Sequence, residues 1–462
     1  MARLGRGQPF PPKVTRRNLS FFQMGIDAAY ERSSANIPKS NILGAGDAAV
    51  FSIFPRPIGS EVSSGIPAWL EPGVRVSGVN GFRPTFRFLS YLSSGSGENW
   101  SAVNGVAWQT GRRPMYSYDS VNWTYFDTNV TVDTTNHWIE FRNSTAFTSD
   151  VVYISRGRQV TVTQVGNWIA GLASSYSFIS PTASAMAFTP SLCTGFPAQD
   201  YIADEFSVQT TELGDMVPPT PFYALQINDT ARMPVSGVKK VAVVMCGVHA
   251  GEDLHAWPHN AFIEYICGNS APAMNLRRDF KILCYPMMNA PGRYGGHWRG
   301  SFQTVSGTDD LNRHFGDTTT LEIVVKPRTA LLSDLSSATP VWQLDFHGDF
   351  GFSTTPAASY YTTSQRSIFR AAWEVYQGAT YDEGSLPGGC TVEYFRTSLS
   401  CPYSMSLEFN DAVPLTDAAL TTTGQNLAKA IADLTSSGTW PFGPSIIRII
   451  QSSQAVTVAS YH

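Results

Sequence analysis

From residue 221 onward the chain alternates short apolar runs with helical segments, and this alternation restricts its fold more than any other feature. PFYALQI (221–227), KKVAVVMCGV (239–248), KILCYPMM (281–288), LEIVVK (321–326), VWQLDF (341–346) and YSMSLEF (403–409) read as strands, being rich in β-branched and aromatic residues. Residues 255–268, 365–377 and 416–435 read as helices between them. Strands and helices in alternation predict an α/β fold, with a central β-sheet flanked by helices on both faces. A further helix is predicted earlier, in TVTQVGNWIAGLA (161–173), where Val165, Trp168, Ile169 and Leu172 recur at i, i+3, i+4 and i+7. A Ser/Pro-rich insert follows it, from about 174 to 218.

The chain ahead of this region has a different texture. VRVSGV, PTFRFLSYL, GVAWQT, MYSYDSVNWTYF, NVTVDT, HWIEFRN and DVVYISRG are short, partly alternating and separated by Gly, Asn, Asp and Ser. They predict a small antiparallel β-sandwich over residues 71–154. Residues 1–70 show little periodicity, and Arg3, Arg6, Lys13, Arg16 and Arg17 all precede the first acid, Asp27. They are expected to form an extended N-terminal arm held by a larger assembly. Residues 155–440 form the α/β unit in this reading, and 441–462 a C-terminal β tail.

Composition excludes several classes. The 462 residues include 27 Phe, 19 Tyr and 11 Trp, ample material for a core, which argues against intrinsic disorder. Only 15% are charged and the net charge is -4, which argues against a nucleic-acid partner. No apolar run reaches about 18 residues, so no membrane span is expected. The basic N-terminus lacks a following apolar stretch and does not read as a signal peptide, which points to a cytoplasmic or virion-associated protein. The six cysteines are scattered without CxxC spacing, so a Cys-based zinc site is not expected. Cys390 and Cys401 are the pair that a bridge could join.

The residues capable of chemistry cluster at strand ends. His249 and Glu252 follow the strand VAVVMCGV in the segment GVHAGE, where open α/β sheets place their sites. Imidazole and carboxylate suit Zn²⁺, although HxxE also occurs in ordinary polar loops. His347, in DFHG, ends another buried-type strand and could converge on that pair, while Asp345 beside it could bond nearby backbone. Glu252 with His255 is the rival metal pair; His255 and His259 are otherwise expected on the next helix, packed or facing away. Asn312 and Arg313, in DLNR, could grip a carboxylate or could lie in a solvated turn. A Gly-rich loop from Asn289 to Ser301 carries Arg293 and Arg299. Glu408 lies inside an apolar strand, where desolvation raises a carboxyl pKa toward the range useful for proton transfer. A salt bridge to a core arginine would be its purely structural role.

These motifs, in this order, resemble the zinc metallocarboxypeptidase superfamily of the carboxypeptidase A type, over residues 155 to 437 or so. HAGE is similar to the family's HxxE pair, DLNR to its Asn-Arg clamp, and YSMSLEFND to the strand ending in its catalytic glutamate. DFHG, NAPGRYGGHWRGS and the preceding sandwich are closest to the cytosolic carboxypeptidase-like branch. The resemblance implies a metallocarboxypeptidase-like mixed central sheet. It also implies Zn²⁺ on His249, Glu252 and His347, with Glu408 as general base and acid and Arg299 stabilising the oxyanion. Asn312 and Arg313 would bind the terminal carboxylate of a peptide substrate. The implied activity is zinc-dependent hydrolysis of the C-terminal peptide bond.

This chain departs from the family pattern in places. The loop arginine could be Arg293 or Arg299, of which Arg299 lies nearer DLNR. The family's mobile tyrosine has two candidates here, Tyr381 and Tyr394, neither at the expected spacing. Gly388–Glu393 should line the specificity pocket, without a residue that marks a preference. Two other readings stay open: an amidase or deacylase on the same fold, acting for example on peptidoglycan stem peptides, and a structural virion or phage-tail-like protein carrying a peptidase-like domain.

Overall fold

The computed structural model describes residues 24–27, 40–53, 73–89, 114–133, 138–155, 157–181, 186–187, 220–295, 310–319, 321–348, 357–360, 366–377, 382–384, 389–409, 416–437, 448–452 and 455–459. Ten strands come first: β1 (Gly25–Asp27), β2 (Asn41–Leu43), β3 (Val50–Ile53), β4 (Val74–Ser77), β5 (Thr85–Leu89), β6 (Met115–Ser117), β7 (Trp123–Tyr125), β8 (Thr131–Asp133), β9 (Trp138–Phe141) and β10 (Val151–Ser155). They form two five-stranded sheets, ordered β1-β4-β10-β6-β7 and β2-β3-β5-β9-β8. All neighbours run antiparallel except β3 and β5. Alternation puts Val74 and Val76 inward and Arg75 and Ser77 outward. The two sheets share one core, in which Val74, Val76, Val152 and Ile154 meet Phe51, Phe86, Phe88 and Phe141. β1, β2 and β3 fall in the stretch read as an extended arm. At three or four residues each they are too short for alternation to register. Arg3, Arg6, Lys13, Arg16 and Arg17 lie outside the described residues, as does GVAWQT.

The remaining strands are β11 (Ile179–Pro181), β12 (Met186–Ala187), β13 (Pro221–Phe222), β14 (Leu225–Ile227), β15 (Lys240–Cys246), β16 (Phe280–Tyr285), β17 (Pro340–Gly348), β18 (Ala357–Tyr360), β19 (Asp382–Gly384), β20 (Tyr403–Phe409), β21 (Arg448–Ser452) and β22 (Ala455–Ala459). Eight of them form a sheet in the order β11-β14-β16-β15-β17-β20-β18-β19. The central four, β16, β15, β17 and β20, are parallel, while β14 and β18 flank them antiparallel, so the sheet is mixed. β12 pairs with β13, and β21 with β22.

Helices cover this sheet: α1 (Val162–Ser175), α2 (Ala256–Cys267), α3 (Ala271–Asp279), α4 (Ala290–Gly295), α5 (Leu311–His314), α6 (Glu322–Leu335), α7 (Arg366–Gln377), α8 (Thr391–Thr397) and α9 (Asp417–Ser437). α1 starts where the periodicity predicts, closed by a capping box in which Thr161 and Gln164 bond each other's backbone N–H groups. LEIVVK differs from its predicted strand: it opens α6. Its β-branched residues favour a strand locally, but Ile323, Val324, Pro327, Ala330, Leu331 and Leu335 are all buried along one helix. Tertiary burial overrides local propensity there. No helix among the described residues is long and apolar enough to cross a membrane. Cys390 and Cys401 are both free and buried, so they are not bridged.

α2 and α9 pack closely. A Cβ on Gly424 would sit 2.1 Å from the carbonyl oxygen of Pro258, so only glycine allows that approach. Gly424→Ala should destabilise the protein by about 1–3 kcal/mol through overpacking. Gly171→Ala, on the exposed side of α1 with open space around it, should stabilise by roughly 0.5–1 kcal/mol. Urea melts of the two variants check this, and equal midpoints would refute the close-packing account.

Candidate metal centre and carboxylate clamp

β15 has parallel neighbours on both sides, and the chain leaves it toward β16 before β17 fills the other side. Connections therefore diverge at the C-terminal ends of β15 and β17. A crevice forms where strand order reverses, which is the usual place for a ligand. His249 and Glu252 follow β15, and His347 is the next-to-last residue of β17. One potential ligand atom from each lies within 4.8 Å of the others. His249 Nδ1 is 2.6 Å from Glu252 Oε1, and His347 Nδ1 is 3.0 Å from Glu252 Oε2. The backbone N–H of Gly348 also donates to Glu252 Oε2, at 3.2 Å. All three side chains are buried.

The outer nitrogens of both imidazoles face carboxylates. Asp310 Oδ1 lies 3.3 Å from His249 Nε2, and Asp345 Oδ2 lies 3.0 Å from His347 Nε2. A carboxylate behind a histidine orients the ring and raises its strength as a ligand, so this arrangement fits a zinc site of two imidazoles and a carboxylate. The electrostatics agree. Burial works to raise the Glu252 pKa, but the two imidazoles outweigh it and hold the carboxyl well below its usual range. Burial opposes charge on His347, yet the Asp345 and Glu252 carboxylates outweigh it and push its pKa well above the usual value. The buried carboxylates thus favour positive charge at His347.

The adjacent residues sort cleanly. His255 and His259 are fully buried, and burial lowers their pKa to about 3 and about 4. His259 rests on Cys284 and on the edge of Phe346, and neither histidine joins the metal group. Arg293 is buried in an ion pair with Asp253, whose carboxylate also accepts the Val160 N–H at 3.2 Å. That pairing gives the Arg293 guanidinium a buried carboxylate partner. Arg299 and Tyr381 lie outside the described residues. Tyr394, on α8, packs edge-on against Phe315 at 5.2 Å.

β17 and β20 supply the rest of the site through their register. Trp342, Leu344 and Phe346 align with Tyr403, Met405 and Leu407 on one face. Gln343, Asp345 and His347 align with Ser404, Ser406 and Glu408 on the other. The period of two makes one face apolar and the opposite face polar. Glu408, half-buried, is therefore the cross-strand neighbour of His347. Asp310 caps α5 by accepting the Asn312 N–H at 2.9 Å, which sets Asn312 and Arg313 at the start of the helix. Arg313 Nη1 donates to the Asn312 carbonyl at 2.9 Å. Sequence reasoning did not foresee the contact between Asp345 and Thr391, the latter expected only within the specificity-pocket segment 388–393. Asp345, assigned there to nearby backbone, instead meets His347 and the Thr391 hydroxyl.

The metallo-carboxypeptidase from Burkholderia cenocepacia superposes on 90% of this chain and 99% of its own, with a TM-score of 0.65 and 15% identity. The chain has the metallocarboxypeptidase fold. It includes the N-terminal antiparallel sheet domain as well as the helix-flanked mixed sheet. Homology is partial: cytosolic carboxypeptidase 2 of Mus musculus is 38% identical over 94 residues, and cytosolic carboxypeptidase 3 of Bos taurus 34% identical over 93. Each match covers 20% of this chain and about a tenth of the relative's length (10% and 9%). No family model matches the chain. Within the metallocarboxypeptidase fold, the His249–Glu252–His347 group is a zinc-type site.

Proposed function

We propose that this protein is a zinc carboxypeptidase that removes C-terminal residues from peptides or proteins. The observation carrying the proposal is the convergence of His249, Glu252 and His347 beside Glu408, at the sheet's switch point. Zinc held by the three ligands would activate a water and polarise the scissile carbonyl. Glu408 takes the proton from that water and delivers it to the leaving amine. Arg299 stabilises the oxygen on which negative charge develops. Asn312 and Arg313 hold the terminal carboxylate, which restricts cutting to chain ends. The partial homology to cytosolic carboxypeptidases supports this reading over an amidase or deacylase. The expectation of a larger assembly rests on arm residues outside the described set.

The clamp gives the discriminating experiment. A charge-assisted bond to Arg313 contributes about 1.5–3 kcal/mol. Arg313→Ala should therefore lower kcat/KM for peptides with a free C-terminus by roughly 10- to 100-fold. Activity on the same peptides with an amidated C-terminus should hardly change. If both substrate types lose activity equally, the clamp assignment fails. If wild-type protein prefers amidated or acylated substrates, the deacylase reading replaces this one.

A further inference from the structure

Two chains of contacts connect Asn312 to the metal-site histidines. Through its backbone, the Asn312 N–H donates to Asp310 Oδ1, which lies 3.3 Å from His249 Nε2. Through its side chain, Asn312 Oδ1 accepts the Thr391 N–H at 3.4 Å, and the Thr391 hydroxyl donates to Asp345 Oδ2, 3.0 Å from His347 Nε2. With the two histidine–Glu252 contacts, these groups close a ring around the site. Thr391 and Asp345 are fully buried, so water does not compete for their bond. Thr391 stands in the first turn of α8, which a close approach presses onto the clamp. Gly389 has φ +74°, and a Cβ there would lie 2.0 Å from the Arg313 carbonyl oxygen. Its own carbonyl accepts the Phe315 N–H at 3.3 Å.

We infer that Thr391 is a positioning residue, whose hydroxyl orients Asp345 and through it His347, and so couples the carboxylate clamp to the metal site. Asp345 has its other oxygen, Oδ1, buried without a hydrogen-bond partner among the described residues. The hydroxyl of Thr391 is thus the neutral donor that fixes this carboxylate's rotation, leaving it aimed at the imidazole. The clamp shares the same residue, so an ordered Asn312 and an ordered His347 support each other.

The inference rests on the proposed zinc site. The test compares Thr391→Val, which keeps the shape and removes the hydroxyl, with Thr391→Ser, which keeps the hydroxyl. Zinc affinity is measured by chelator competition, alongside kcat and KM on a free-carboxylate peptide. Thr391→Val should bind zinc about 10- to 100-fold more weakly, the usual cost of losing an outer partner. Its kcat should fall more than its KM rises. Thr391→Ser should stay within about threefold of wild type in zinc affinity, because the bond to Asp345 remains. Asp345→Asn should weaken zinc similarly, and adding Thr391→Val to it should cost nothing further, because the two act in series. Additive losses would overturn the link, and so would wild-type affinity in Thr391→Val or an equal loss in the serine variant. A wild-type protein that binds no zinc overturns the metal site itself, and the link with it.

Discussion

Glu408→Gln should retain zinc and lose turnover by roughly 100- to 10,000-fold, the range general acid–base groups contribute. The amide keeps the size and polarity of the carboxylate but cannot accept the water's proton. Glu408 is a cross-strand neighbour of His347, not one of the three clustered ligands, so removing its charge leaves the ligand set whole. Zinc content measured with kcat on one chromogenic peptide separates the roles. Lost zinc would make Glu408 a ligand, and retained turnover would remove it as the base.

His347→Ala should have the opposite signature, with both metal and activity lost. Zinc sites with four ligands hold the ion by about 10–16 kcal/mol, so one ligand accounts for roughly 3–4 kcal/mol. A weakening of zinc affinity by about 100- to 1,000-fold is expected. A second consequence appears without metal. His347 lies between the carboxylates of Glu252 and Asp345, all three fully buried. Removing the imidazole leaves two buried acids without their shared partner, and breaking buried pairs of this kind costs about 3–5 kcal/mol. The chelated variant should therefore melt well below chelated wild type. Equal melting temperatures would mean that the imidazole adds nothing to stability in the metal-free protein.

The general shape of the α/β unit was legible because its signals are local. The apolar-rich runs Lys240–Cys246 and Pro340–Gly348 read as strands by composition, and polar residues at or just past their ends mark the site edge. His249, Glu252 and His347 could be singled out that way, and Glu408 as an acid inside an apolar strand. LEIVVK shows the limit: a six-residue β-branched run is compatible with both strand and helix, and burial of Leu331 and Leu335 beyond it decided for α6. The short strands β1–β3 show another, since three or four residues carry no measurable period.

The sequence placed Thr391 only in the segment 388–393 expected to line the specificity pocket, and its contact with Asp345 was illegible for a different reason. It stands 79 residues from Asn312 and 46 from Asp345, with no motif around it. What the sequence by itself determined is the set of chemical groups and their place at strand ends, because hydrophobic pattern and residue type are local properties. The order of β16, β15, β17 and β20, and with it which groups meet, was decided only in three dimensions. Strand register brought Glu408 beside His347, and helix packing brought Thr391 between Asn312 and Asp345. Those contacts depend on burial summed over the whole core, which no short stretch of the chain encodes.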